Sequence, residues 1–174
     1  MRWIPLLVCL LVCLPLCAAE PVLEERAVND KVTIQVPREF KVMSDEMLKK
    51  KYPKETRPTL VYTNDRGSVN VTANYTNNKV RLDQLPDLRK VVEATYKKSF
   101  PTAEWFRNEL TTINGRQFVL VELRTPAADT IIRNIILATS LDDRLLLISF
   151  NVTKELEGAW LATGNKVIES VRVK

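Results

Sequence analysis

The stretch TIIRNIILATSLDDRLLLISFNV, residues 130–152, holds two nearly continuous apolar runs. Ile131-Ile132 and Ile135-Ile136-Leu137 lie in the first and Leu145-Leu146-Leu147-Ile148 in the second, joined across Leu141-Asp142-Asp143. Apolar runs of this length, ended by a turn signal, read as strands 130–139 and 144–152 of a hairpin. A strand that is apolar on both sides must be covered on both sides. The hairpin is therefore expected at the centre of a sheet, with Leu147, Ile148, Phe150 and the downstream Trp160 buried together.

Further hairpins lie upstream. Asn114-Gly115 joins strands 104–112 and 116–123 and is the strongest short hairpin signal a sequence carries. Asp65-Arg66-Gly67 joins strands 59–64 and 68–75, with Gly67 available for a left-handed position. In the second of these, Val69, Val71, Ala73 and Tyr75 face one way; Ser68, Asn70, Thr72 and Asn74 form a wet face. Val32, Ile34 and Val36 alternate with polar residues in a further strand that Pro37 ends. Residues 20–30 carry four acids and no period, so they are expected as a flexible lead-in, with order from Lys31.

Three helices are expected. The first is short, with Ser44 as cap, Asp45-Glu46 in its first turn and Lys49-Lys50-Lys51 in its last, complementing the helix dipole. The second carries Leu85, Leu88, Val92 and Tyr96 at helical spacing, tolerates Pro86 in its first turn, takes Asp83 as cap and ends near Ser99. A C-terminal helix lines up Leu156, Trp160, Val167, Ile168 and Val171, with Asn151 or Thr153 as cap and a bend or break at Gly164. Hairpins with segregated helices point to an α+β fold. The expectation is one domain over 31–174: a single antiparallel sheet of about seven strands with helices covering both faces.

Working back to the start, Arg2 precedes 14 largely apolar residues, 4–17, and Cys17-Ala18-Ala19 lies before Glu20. These are the parts of a cleaved secretory signal over 1–19, with the cut between Ala19 and Glu20. The apolar run is short of the roughly 20 residues that span a bilayer. The alternative is a lipoprotein acylated at Cys17, against which stands the large Leu16 before it. Cleavage after Ala19 leaves 155 residues with 25 basic and 21 acidic groups, and removes all three cysteines. A periplasmic or secreted location follows, with a fold that relies on its core and not on disulfides.

The chain has no His, and its Cys residues all precede Glu20. That removes Ser-His-Asp and Cys-His nucleophile pairs and ordinary zinc sites. Paired carboxylates remain, yet Asp45-Glu46 is explained by a helix start and Asp142-Asp143 by a solvated turn. No metal or cofactor is expected. With 4 Gly and no Gly-x-Gly, phosphate cradles are absent too. Lys49, Lys50, Lys51, Lys54 and Arg57 form the densest basic run. It reads either as a solvated helix end or as a contact patch for an acidic partner or an anionic membrane surface. Nucleic acid is not expected, because the bases alternate with acids and export removes the chain from it. Asn70, Asn74 and Asn151 match the glycosylation sequon, and Asn70 and Asn74 lie on the expected wet face.

The element order, with Val36-Pro37-Arg38-Glu39-Phe40 after the first strand and Ile168-Glu169-Ser170-Val171 in the last helix, resembles the PsbP/DcrB-like α/β/α sandwich family. The similarity spans most of residues 31–174. The family includes photosystem accessory proteins, a Ran-binding protein, envelope proteins needed for phage or colicin uptake, and chaperones of secreted toxins. The resemblance implies a non-enzymatic binding or accessory module acting through protein contacts, and the export segment favours its envelope branch. A carboxylate-based hydrolase and an anion- or lipid-surface-binding module are the alternatives. Intact-mass measurement of the exported protein should give a chain starting at Glu20; a diacylated Cys17 would establish the lipoprotein instead.

Overall fold

The computed structural model describes residues 20–53 and 57–174. Along these the chain forms β1 (Leu23–Asn29), β2 (Val32–Pro37), β3 (Lys41–Val42), α1 (Asp45–Lys51), β4 (Leu60–Thr63), β5 (Val69–Lys79), α2 (Leu85–Ser99), β6 (Glu104–Ile113), β7 (Arg116–Pro126), β8 (Ile131–Leu141), β9 (Arg144–Thr153), α3 (Glu157–Glu169) and β10 (Arg172–Val173). The architecture is α+β with two antiparallel sheets, not the single sheet expected. A seven-stranded sheet runs β3-β4-β5-β9-β8-β7-β6, and a three-stranded sheet runs β1-β2-β10.

The extra sheet corrects the expectation of a flexible lead-in at 20–30. Those residues supply β1, paired with β2 from Leu23↔Pro37 to Asn29↔Val32. β1 lacks a clean period because its side chains are mostly half-buried, so acids and aliphatic residues mix along it. β10, only two residues long, closes the other edge of β2 and gives no periodic signal at all. Thus β2 leaves the main sheet, and the two-residue β3 takes the seventh place there.

The expected hairpin does lie inside the main sheet. β9 pairs with β5 on one side and β8 on the other. Asp142 and Asp143 have φ of 51° and 55°, forming a tight two-residue turn, as do Asn114 and Gly115 at 47° and 82°. Aspartate tolerates the left-handed conformation better than most side chains.

Period-2 alternation divides the main sheet's side chains into two cores. Val71, Ala73, Leu120, Ile135, Ile148 and Phe150 join Val32, Ile34 and Val36 of β2 and Val167 and Ile168 of α3. Their sequence neighbours on the opposite face, Val119, Val121, Leu123, Ile136 and Leu145, join Leu85 of α2, with Leu88, Val92 and Tyr96 packed alongside. Ile148 and Phe150 are fully buried and Trp160 packs against their cluster. Leu147 does not share that core: it follows the alternation to the α2 side, where it is only partly buried.

The caps differ from expectation in two helices. Ser44 does cap α1, its side chain accepting from the Met47 N–H. Asp83, by contrast, pairs with Arg81 at 2.8 Å, while Gln84 Oε1 accepts from the Arg81 N–H at 2.9 Å ahead of α2. Asn151 stays within β9, and Thr153 precedes a short 3-10 turn, Lys154–Leu156, without a side-chain capping bond.

Gly164 neither bends nor breaks α3, which runs continuously through it. A Cβ there would lie 2.4 Å from Phe150 Cδ1. Glycine is needed because α3 lies directly on a fully buried ring. Overpacking costs about 1–3 kcal/mol, so Gly164→Val should lower the urea midpoint clearly. Gly158→Ala meets nothing within 4 Å and should leave the midpoint unchanged or higher. Equal midpoints for the two variants would contradict this close contact.

Candidate functional site

Helix α2 is held over β6 and β7 and not over the middle of the sheet. The Val80 N–H donates to the Asp143 carbonyl at 3.0 Å, fixing the approach to the helix beside the β8–β9 turn. Arg89 Nη1 donates to the Asn108 carbonyl at 3.2 Å, and Asn108 Nδ2 donates to Glu93 at 2.7 Å. Near the C-terminal end, Tyr96 meets Trp105 edge-on with ring centroids 6.4 Å apart. This offset leaves a groove of about 650 Å3 between α2 and the uncovered surface of β5, β9 and β8. Such a volume lies within the range of about 300–1,000 Å3 typical of small-molecule sites.

Strand register orders the floor of the groove. Along β9 the residues facing it are Leu145, Leu147, Ser149 and Asn151, in that sequence. Opposite Leu147 stands Asn74; opposite Ser149 stand Thr72 and Ile136; opposite Asn151 stands Asn134. The Leu145 end lies beside the start of α2, where Val80, Leu88 and Val91 give it an aliphatic wall and Asn78, Lys79, Gln84 and Asp87 border it. The Asn151 end is hydroxyl and amide. Thr72 Oγ1 and Ser149 Oγ are 2.6 Å apart. Asn151 Nδ2 donates to Asn134 Oδ1 at 2.8 Å, and Asn134 Nδ2 donates to Thr125 Oγ1 at 3.0 Å. Asn151 Oδ1 is buried and receives no donor among the described residues. A polar atom left so is costly, on the order of 1–3 kcal/mol.

Among the described residues, the charged groups bordering the groove are Asp87 and Lys79, both exposed. Asp87 is engaged by Lys90 at 3.1 Å. Burial pushes the Tyr96 phenol above its ordinary pKa, so it stays neutral around physiological pH. The groove can therefore bury apolar matter at one end and exchange neutral hydrogen bonds at the other.

The basic run has a different position. Lys49, Lys50 and Lys51 are exposed on α1, a helix with no buried residue, and none of them lines the groove. Arg57 is tied back, its Nε donating to the Tyr52 carbonyl at 2.9 Å. Lys54 lies outside the described residues, as do Cys17 and Ala19. Glu20, at the expected cleavage point, pairs with Lys166 of α3. Asp142 pairs with Lys31 at 2.6 Å across the turn. Of the three sequons, Asn70 is not accessible: it is buried, accepts from Thr63 Oγ1 at 2.6 Å and donates to the Gly67 carbonyl at 3.1 Å. Its face turns into the hairpin instead of toward water. Asn74 and Asn151 both line the groove.

A second cluster lies on the face occupied by α3. Glu122 accepts from Arg107 and from Arg133, the latter through Nε at 2.9 Å. Glu157 accepts from Arg124 Nε and Nη2, each at 2.9 Å, and Arg124 also reaches Glu104 at 2.7 Å. The Arg133 guanidinium lies 3.2 Å from the centroid of the Phe106 ring. Three arginines thus meet three glutamates, leaving the cluster balanced in charge. The bidentate Arg124 contact holds Glu157 below the usual carboxylate range. Its stabilisation is present above the unfolded pKa and is lost as pH falls through the lowered folded one.

Sequence reasoning missed the groove, although a signal was present. Asn134, Ser149 and Asn151 interrupt otherwise apolar strands, and their register places them on one face of the sheet.

No family model matches the chain, and no curated protein matches it in sequence. Solved structures do match in fold. The solution structure of cyanobacterial PsbP (CyanoP) from Synechocystis sp. PCC 6803 superposes with a TM-score of 0.61 at 12% identity, covering 94% of this chain and 99% of that one. LpqN, involved in cell envelope biogenesis of Mycobacterium tuberculosis, superposes with a TM-score of 0.54 at 9% identity, covering 87% and 91%.

The buried Glu122 gives a direct test of the ion cluster. Removing one partner of a buried pair costs about 3–5 kcal/mol because the other charge is stranded. Glu122→Ala should therefore lower the urea midpoint with little change in slope; a wild-type midpoint would mean that Arg133 is compensated by water.

The element order, the two antiparallel sheets and these superpositions agree: the chain has the PsbP-like fold.

Proposed function

We propose that this chain is an exported, non-enzymatic binding or accessory module and that the groove beside α2 is its binding site. The observation that carries the reading is the groove itself: a concave surface with an aliphatic wall and a floor of neutral donors and acceptors. Binding sites are built in this way, with apolar lining and a few placed polar groups. Acid–base or nucleophilic chemistry would need a titratable group aimed into the cleft. Here the described floor offers amides, hydroxyls and leucines, and the rim carboxylate Asp87 is paired with Lys90.

The extracytoplasmic assignment rests on the apolar segment 4–17 and on Cys17-Ala18-Ala19 before Glu20. A structural neighbour involved in cell envelope biogenesis supports the same direction. Fold alone does not carry function, so the groove and not the superposition is the basis of the proposal. The exposed Lys49, Lys50 and Lys51 form a second surface, and Lys54 and Arg57 follow them in the sequence. They would steer an acidic protein partner toward the module, an effect screened beyond about 8 Å at physiological salt.

The test uses variants that spare the core. Thr95 is exposed on α2 and lines the groove, so Thr95→Trp should block it while keeping the thermal midpoint. Photocrosslinking from the groove in the native envelope should yield adducts with the wild-type protein and lose them in this variant. Reversal of Lys49, Lys50 and Lys51 to Glu should slow partner association and flatten its salt dependence at unchanged stability. Identical adducts with the groove blocked would refute the site; association unaffected by reversal would reduce the lysines to a solvated helix end.

A further inference from the structure

We infer that the groove takes a single-chain amphiphile with an uncharged, hydroxyl- or amide-bearing head, its alkyl chain lying toward Leu145 and its head toward Asn151. This inference rests on the proposal that the groove is the binding site, and it names the ligand class.

Leu145, Leu147, Ser149 and Asn151 are successive groove-facing positions of β9, so polarity changes once along this strand, from aliphatic to amide. β8 follows the same gradient, with Ala138 beside Leu147 and Asn134 beside Asn151, whereas β5 places the amide of Asn74 beside Leu147. The α2 wall adds Leu88 and Val91 at the apolar end. Val91 is 60% exposed, an aliphatic side chain bordering the groove without full cover. A ligand that matched this floor would itself change from apolar to polar once along its length.

Charge then selects among amphiphiles. The amide end presents Thr72, Ser149, Asn134 and Asn151, with Thr95 and Tyr96 on the wall above, and no ionised group among the described residues there. An anionic or cationic head would be desolvated against neutral dipoles without a counter-charge, which is strongly unfavourable. A head with hydroxyl or amide groups can both donate and accept. The floor offers both kinds of atom in the hydroxyls of Thr72 and Ser149 and the amides of Asn134 and Asn151.

A peptide segment is the other kind of occupant to consider. Its backbone repeats polar groups at every residue, whereas β9 and β8 concentrate them at one end, so the gradient along these strands favours the amphiphile.

The test is titration calorimetry of the mature protein with octyl, nonyl and decyl maltoside, each below its micellar concentration. Burial of a methylene is worth about fourfold in affinity, so decyl should bind about 15-fold more tightly than octyl, at one ligand per chain. Decanoate and decyltrimethylammonium should bind at least about tenfold more weakly than decyl maltoside, because neither finds a counter-charge. Val91→Asp, at an exposed position, should flatten the dependence on chain length. Thr72→Val should weaken all three maltosides alike and keep that dependence, with thermal midpoints recorded for both variants. Affinity independent of chain length, or equal affinity for the charged heads, overturns the inference. If that result comes with groove adducts that Thr95→Trp abolishes, the site binds something else, such as a peptide, and the binding-module reading stands. If the adducts also survive Thr95→Trp, both readings fall.

Discussion

Everything in this fold depends on β9 being buried on two faces at once. It is the fourth strand of seven, bonded to β5 and β8, so its odd and even residues must each find a cover. The even side succeeds completely. Ile148 and Phe150 meet α3 and the small sheet, and Gly164 lets the helix backbone come down onto the Phe150 ring. Close packing of that kind leaves α3 little room to shift. The odd side is covered only where α2 lies, which is over β6 and β7. What remains uncovered becomes the groove, and its β9 residues run from leucine to serine and asparagine.

How much of this was legible in the sequence follows from the range of each signal. The central hairpins, α2 and α3 were readable because alternation, helical spacing and the Asn-Gly turn are local patterns repeated over many residues. β1 and β10 were not. β1 has half-buried side chains of every kind, and β10 is two residues long, so both exist through pairing with β2 rather than through their own propensity. Tertiary context overrides weak local preference in strands more readily than in helices. Gly164 was misread for a related reason. Glycine within a helical pattern signals either a break or a close approach, and only the position of Phe150 separates the two.

The candidate site was partly legible. The wet face of β5 was visible as alternating Ser, Asn and Thr, yet its exposure was overestimated at Asn70, whose amide bonds Thr63 and Gly67 within its own hairpin. The basic run at 49–57 attracted notice because charge density is a one-dimensional property. The groove is a property of register between strands distant in the chain. Thr72 meets Ser149 across 77 positions of sequence, and no local pattern announces that contact.

Charge in this protein is organised by face. On the α3 side, arginine and glutamate neutralise one another around the buried Glu122, Arg133 and Glu157, with Arg107 and Arg124 partly exposed. Buried pairs of this sort rarely add much net stability over a hydrophobic alternative, but each partner becomes hard to remove. On the α2 side the polar groups are neutral, held in small hydrogen-bonded pairs, and open to solvent along one margin. Removing a neutral pair strands no buried charge, so this face can vary more freely than the other. In this chain packing and compensated charge on the α3 face therefore constrain substitution more tightly than the neutral pairs on the α2 face, within a fold that superposes on solved structures at only 12% and 9% identity.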